Sequence, residues 1–111
     1  MITQNLPFVN KNGTMKEVVL KMTESRLGLA LIGNEEKLEG IITDGDLRRS
    51  LLMSDDFTKI EIKDILNKSP MTAYENDNLQ VAHERMKEAR LQSLVVKNND
   101  EKIVGVIQIF K

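Results

Sequence analysis

A chain of 111 residues, 41% hydrophobic, holds one compact domain or two small half-domains packed together, and it leaves no room for a separate enzyme domain beside them. Its 16 basic and 17 acidic residues give a formal net charge of −1, which excludes the basic excess that grips nucleic acid or an anionic membrane. The absence of cysteine excludes disulfides and thiolate chemistry, the single histidine leaves no His/Cys metal cluster, and no uncharged apolar run approaches the roughly 18 residues of a membrane span.

The first predicted element is a helix. Met15, Val18, Val19 and Met22 stand at i, i+3, i+4 and i+7, and Thr14-x-x-Glu17 has the form of a capping box at its start. Leu29 to Ile32 then reads as a strand, Asn34-Glu35-Glu36-Lys37 as a polar turn, and the run ending in Ile41-Ile42 as a second strand. Leu47 to Leu52, with Ile65 and Leu66, add short helical pieces, and Ser54 to Lys59 is expected to be an exposed loop. The plan then recurs. Leu79, Ala82 and Met86 carry a weaker helical stripe that Asp77-x-x-Gln80 can cap, Leu94 to Val96 is a strand, Asn98 to Glu101 a turn, and Val104 to Ile109 a strand.

The recurrence is an internal repeat. Thr14–Ile32 aligns without a gap on Asn78–Val96, pairing Met15 with Leu79, Met22 with Met86 and Arg26-Leu27 with Arg90-Leu91. After one extra residue in the second turn, Leu38–Ile42 aligns on Ile103–Ile107, which places Gly40 opposite Gly105. A helix over two strands is marginal alone, so the expected fold is α+β, with two units packed sheet to sheet.

The segment richest in chemistry runs from Gly40 to Arg49, where an apolar strand ends in Thr43, a glycine turn and a new helix. Two readings are open. In one, the Thr43 hydroxyl and the backbone N–H groups of Asp44 and Gly45 hold a phosphate, Asp46 accepts from a sugar diol, and Arg48 and Arg49 add charge. In the other, Asp44 or Asp46 caps the helix and the arginines are solvated. His83 reads as a structural or partly exposed helix residue, Met15, Met22 and Met86 as packing, and Glu84-Arg85 with Lys87-Glu88 as a solvated helix face.

These residues resemble the CBS domain family, whose repeat closes on Gly-hydrophobic-x-Thr/Ser-x-x-Asp, here Gly40, Thr43 and Asp46. The join Lys63-Asp64-Ile65-Leu66-Asn67-Lys68-Ser69-Pro70-Met71-Thr72 is similar to the opening of such a repeat. Leu6-Pro7-Phe8-Val9, Arg26-Leu27-Gly28 and Thr43 to Arg49 look more narrowly like the CBS pair at the C-terminus of bacterial arabinose 5-phosphate isomerases. The resemblance implies two helix-strand-strand-helix repeats, residues 1–60 and 61–111, packed as a pseudo-twofold disc, the second lacking its closing helix. It implies a cleft for a nucleotide or nucleotide-sugar such as AMP or CMP-Kdo, with phosphate near Thr43, ribose near Asp46, base against Pro7, Phe8 and Val9, and Arg26 and Arg48 nearby. It also implies a homodimer and a sugar isomerase domain as partner, in the pathway to Kdo. The second repeat departs from the motif, with Gln108 where Thr43 stands and Lys111 where Asp46 stands, so one cleft with the usual residues is expected.

Three function classes follow: a ligand-binding regulatory module, a ligand-free structural or dimerisation module, and an enzyme. The last is weakest, because no nucleophile–base pair or metal cluster is recognisable. A reducing compartment suits the composition, and cytoplasm is the expected location.

Overall fold

The computed structural model describes residues 1–109. Two sheets of three strands carry the fold. In the first, β1 (Phe8–Val9) pairs parallel with β2 (Leu29–Gly33), which pairs antiparallel with β3 (Leu38–Thr43). The second repeats order and sense with β4 (Thr72–Tyr74), β5 (Ser93–Lys97) and β6 (Ile103–Gln108). Even the irregularity in the hairpin register recurs, between Ile32 and Gly33 and between Val96 and Lys97.

Period-two alternation along β2 builds two layers. Leu29 and Leu31 face the other sheet, where Leu27, Ile41, Val95, Ile103 and Val106 join them in a core shared by both repeats. Ala30 and Ile32 face outward under helix α1 (Met15–Ser25), which buries Met15, Val18 and Met22. On the second repeat, helix α4 (Leu79–Glu88) lays Ala82 and Met86 over Leu94, Val96 and Ile107. Both helices end alike: Arg26 and Arg90, at φ 59° and 58°, take the left-handed conformation that turns the chain into the next strand.

The two repeats exchange straps. Asn67, ahead of β4, pairs with Ile41 on the first repeat through two backbone bonds of 3.0 Å. Ile2, ahead of β1, pairs with Val106 on the second through bonds of 2.8 and 2.9 Å. A Cβ on Gly40 would lie 2.3 Å from the Asn67 carbonyl oxygen, and one on Gly105 would lie 2.6 Å from that of Ile2. The aligned glycines are therefore the places where backbone crosses backbone. Across the same seam the Ser93 hydroxyl donates to the Leu27 carbonyl at 2.7 Å, and Ile103 N–H donates to that of Glu35 at 2.8 Å.

Several expectations need correction. Val19 is 38% exposed on the wall of a cleft it shares with Met22, Thr23 and Arg26, so the buried stripe is narrower than the apolar one. The cap of α4 is Asn78, whose side chain accepts from the N–H groups of Gln80 and Val81, while Asp77 accepts from Tyr74 N–H. Residues 54–59 are not simply an exposed loop: Phe57–Lys59 form a 3-10 turn, and Phe57 packs on the outer core of the first repeat. Ile60, Ile62, Ile65 and Leu66 join it there, around the short helix α3 (Ile62–Ile65). Strands β1 and β4, two and three residues long, lie where the sequence shows no alternation. No helix among the described residues is long and apolar enough to cross a membrane.

Candidate functional site

Strand β3 delivers Thr43 to the start of helix α2 (Asp44–Ser50), and a reciprocal capping box forms there. The Thr43 hydroxyl oxygen accepts from Asp46 N–H at 3.2 Å, while Asp46 Oδ2 accepts from Thr43 N–H at 2.9 Å and from its hydroxyl at 3.0 Å. The other carboxylate oxygen accepts from the Arg49 guanidinium at 2.6 Å. This capping arrangement has Thr43 as the N-cap and Asp46 as its reciprocal partner, where the sequence offered Asp44 or Asp46 as the cap. It does not close the site, because the Arg49 side chain is 70% exposed and can swing off the carboxylate.

Thr43→Ala removes one side of this box and is expected to lower stability by about 1 kcal/mol, with Thr43→Ser close to unchanged. Urea denaturation of the two variants measures the difference. Equal midpoints for both would show that the hydroxyl contributes nothing.

Thr43, Asp44, Gly45, Asp46 and Arg48 open together on a cleft of about 610 Å³ between the repeats. Its apolar wall includes Leu29, Ile41 and Val95, and its polar rim adds Arg49, Arg90, Asn67, Gln92 and Ser93. Pro7, Phe8, Val9 and Arg26 are not brought to it. Pro7 is buried with its carbonyl accepting from Leu31 N–H at 2.8 Å, Phe8 packs near the shared core, and Val9 lies under α1. Arg26 lines a second cleft of about 380 Å³ with Thr23, Asp44, Gln92 and Gln108, and Gln108 Nε2 donates to its carbonyl at 3.3 Å.

The strap exchange explains the displacement. It brings the second repeat's segment, not the first's, alongside Thr43, so the equivalents of the expected residues line the cleft: Met71 stands where Pro7 stands and Arg90 where Arg26 stands. The internal alignment already paired the two arginines, and that pairing was the available signal. Gln108 does occupy the position of Thr43, since it faces Ser93 across β5 and β6 as Thr43 faces Leu29 across β2 and β3. Lys111, read as standing where Asp46 stands, lies outside the described residues. Glu101, the carboxyl held below its ordinary range, is elsewhere, at the hairpin of β5 and β6, where the Tyr74 hydroxyl donates to it.

The sequence profile of the CBS domain matches residues 1–53 and again residues 62–109. The chain belongs to the CBS domain family. Over 104 residues this CBS pair is 36% identical to a probable arabinose 5-phosphate isomerase of Haemophilus influenzae, covering 93% of the pair and 31% of that protein. It is 31% identical over 111 residues to arabinose 5-phosphate isomerase KpsF of Escherichia coli, covering 99% and 34% respectively. The CBS pair therefore spans about a third of the length of these relatives. Among solved structures, CBS domain protein PAE2072 from Pyrobaculum aerophilum, complexed with AMP, shares its fold with a TM-score of 0.81 and 24% identity, over 96% of this chain and 87% of that one.

Proposed function

We propose that this CBS pair binds a nucleotide or nucleotide-sugar between its repeats and regulates, in the cytoplasm, the sugar isomerase domain of a longer arabinose 5-phosphate isomerase. The observation that carries the reading is the convergence of Arg48, Arg49 and Arg90, drawn from both repeats, on a cleft of about 610 Å³ with an apolar wall. That volume falls in the range of small-molecule sites, and guanidinium groups suit phosphate oxygens. Phosphate sits by Arg48, Arg90 and Thr43, ribose by Asp46 once Arg49 swings aside, and the base against the wall that includes Met71. AMP is the nucleotide in the Pyrobaculum complex. CMP-Kdo is the alternative that makes chemical sense as an end-product signal to this isomerase. Regulation follows if the ligand prefers one arrangement of the whole enzyme, since equal affinity for two arrangements shifts neither.

Calorimetric titration with AMP, ATP, CMP and CMP-Kdo tests the reading, on the native chain and on Arg90→Ala and Asp46→Ala. One nucleotide is expected to bind saturably, and Arg90→Ala to weaken it about tenfold or more through loss of a charge-assisted hydrogen bond. No binding by any of the four to a folded sample would leave the second reading.

That second reading is a ligand-free dimerisation module. It is favoured by the exposed apolar residues Val19 and Leu20 on α1 and Leu51, Leu52 and Met53 at the end of α2. Both readings include a homodimer, whose sedimentation should revert to monomer in Leu52→Asp.

A further inference from the structure

The arginines that line the cleft are not alike. Among the described residues Arg48 and Arg90 pair with no carboxylate, whereas Arg49 is held by Asp46, the carboxylate assigned above to the ribose. Asp46 Oδ2 accepts twice from Thr43, from its N–H at 2.9 Å and its hydroxyl at 3.0 Å, and Oδ1 accepts from the Arg49 guanidinium at 2.6 Å. A carboxylate oxygen has two lone pairs, so Oδ2 is saturated and Oδ1 keeps a single free position. A sugar diol that donates both hydroxyls to this carboxylate needs two positions. The guanidinium must leave first.

The seat of the guanidinium is shaped by the chain. A Cβ on Gly45 would lie 3.1 Å from Arg49 Nη1, so the arginine folds back over the notch that the missing side chain leaves in the first turn of α2. The Asp46 side chain is only 19% exposed, which leaves the pair less screened than one with both partners in water. The Arg49 stem has open solvent to swing into.

We propose that Arg49 is a latch on the ribose subsite and makes occupation of that subsite conditional on a phosphate group. The inference rests on the reading of the cleft as a nucleotide site and adds what selects among ligands there. A nucleoside must displace the guanidinium from Asp46 and offers it no new partner. A nucleotide brings phosphate oxygens into the same cleft, and the released guanidinium forms a charge-assisted pair with them. Where the latched arrangement holds about nine-tenths of the molecules, a ligand that needs Asp46 free binds about tenfold more weakly than it would to the open site. The phosphate contact offsets that loss for a nucleotide, and a nucleoside bears it whole.

Calorimetric titration with two pairs of probes, AMP with adenosine and CMP with cytidine, tests the latch in the native chain and in Arg49→Ala. Loss of a binding group ordinarily weakens a ligand. Arg49→Ala is instead expected to tighten the nucleoside about fivefold or more, and to narrow the preference for its nucleotide about tenfold through loss of the phosphate contact. A nucleoside that binds only the variant is the same result in its extreme form. Salt gives a second readout in the native chain. A nucleoside carries no charge, so its affinity should rise toward about 1 M NaCl as the Asp46–Arg49 pair is screened, and should stay flat in Arg49→Ala. An unchanged nucleoside, or equal weakening of nucleoside and nucleotide in a folded Arg49→Ala, overturns the proposal and leaves the cleft reading standing. Binding of none of these probes by either folded chain overturns both.

Discussion

Gly40→Ala is expected to destabilise the chain by about 3 kcal/mol, the sum of overpacking and loss of one or two backbone hydrogen bonds. The added methyl would sit 2.3 Å from the Asn67 carbonyl oxygen and 2.7 Å from Leu66 Cδ1. The leucine tip can rotate, but the carbonyl belongs to a strap held at both N–H and C=O by Ile41, at 3.0 Å each. The strap must lift, and Asn67 lifts with it from the rim of the cleft. With a urea dependence of about 1.5 kcal/mol per molar, the midpoint should fall by about 2 M. Gly105→Ala should cost less, because its added Cβ would meet the opposing Ile2 carbonyl oxygen at 2.6 Å, a milder overlap. A fall below about 0.5 M for Gly40→Ala would show that the crossing relaxes freely.

Leu31→Ala is the other substitution with a large expected effect. Leu31 is fully buried at the centre of the middle strand, paired with Phe8 on one side and Ile41 on the other, in the core that both sheets share. Leucine truncation in such a setting costs about 3–4 kcal/mol, transfer plus cavity, which for a chain of this size lowers Tm by about 12 °C or more. Because the lost contacts belong to both repeats, the variant should still unfold in one calorimetric transition. Two resolved transitions would mean that each repeat is stable alone and the shared core is not what couples them.

The parts of this architecture legible in the sequence are those written in local periodicity. Met15, Val18 and Met22 repeat at helical spacing, Leu29 to Ile32 is an unbroken apolar run, and the two units carry these features in the same order. Strands β1 and β4 are two and three residues long, too short to show alternation, and exist because β2 and β5 offer an edge. Val19 looks like core by spacing and is exposed because its side of α1 opens on a cleft. Asp77 and Asn78 are both good caps, and only the geometry of the preceding turn chooses between them. The candidate site was legible on the β3–α2 side, where Thr43 to Arg48 are contiguous. Its opposite wall was not. Met71 follows a strap that crosses between repeats and Arg90 follows α4 of the second repeat, so both come to the cleft by long-range packing no window of sequence contains, and a motif read within one repeat points instead to Pro7 and Arg26.

Each repeat holds both halves of the strap exchange, a segment to give and a strand edge to receive. Such a unit is complementary to a second copy of itself about a twofold axis, which makes a freestanding ancestral repeat a ready homodimer. Fusing two copies through residues 54–66 turns that association into an intramolecular one, at an effective concentration in the millimolar range for a short tether. Once the pairing no longer depends on how much protein is present, the copies are free to diverge. Gln108 opposite Ser93, where Thr43 stands opposite Leu29, is a trace of that divergence, because one cleft can keep its hydroxyl while the other loses it without the disc falling apart.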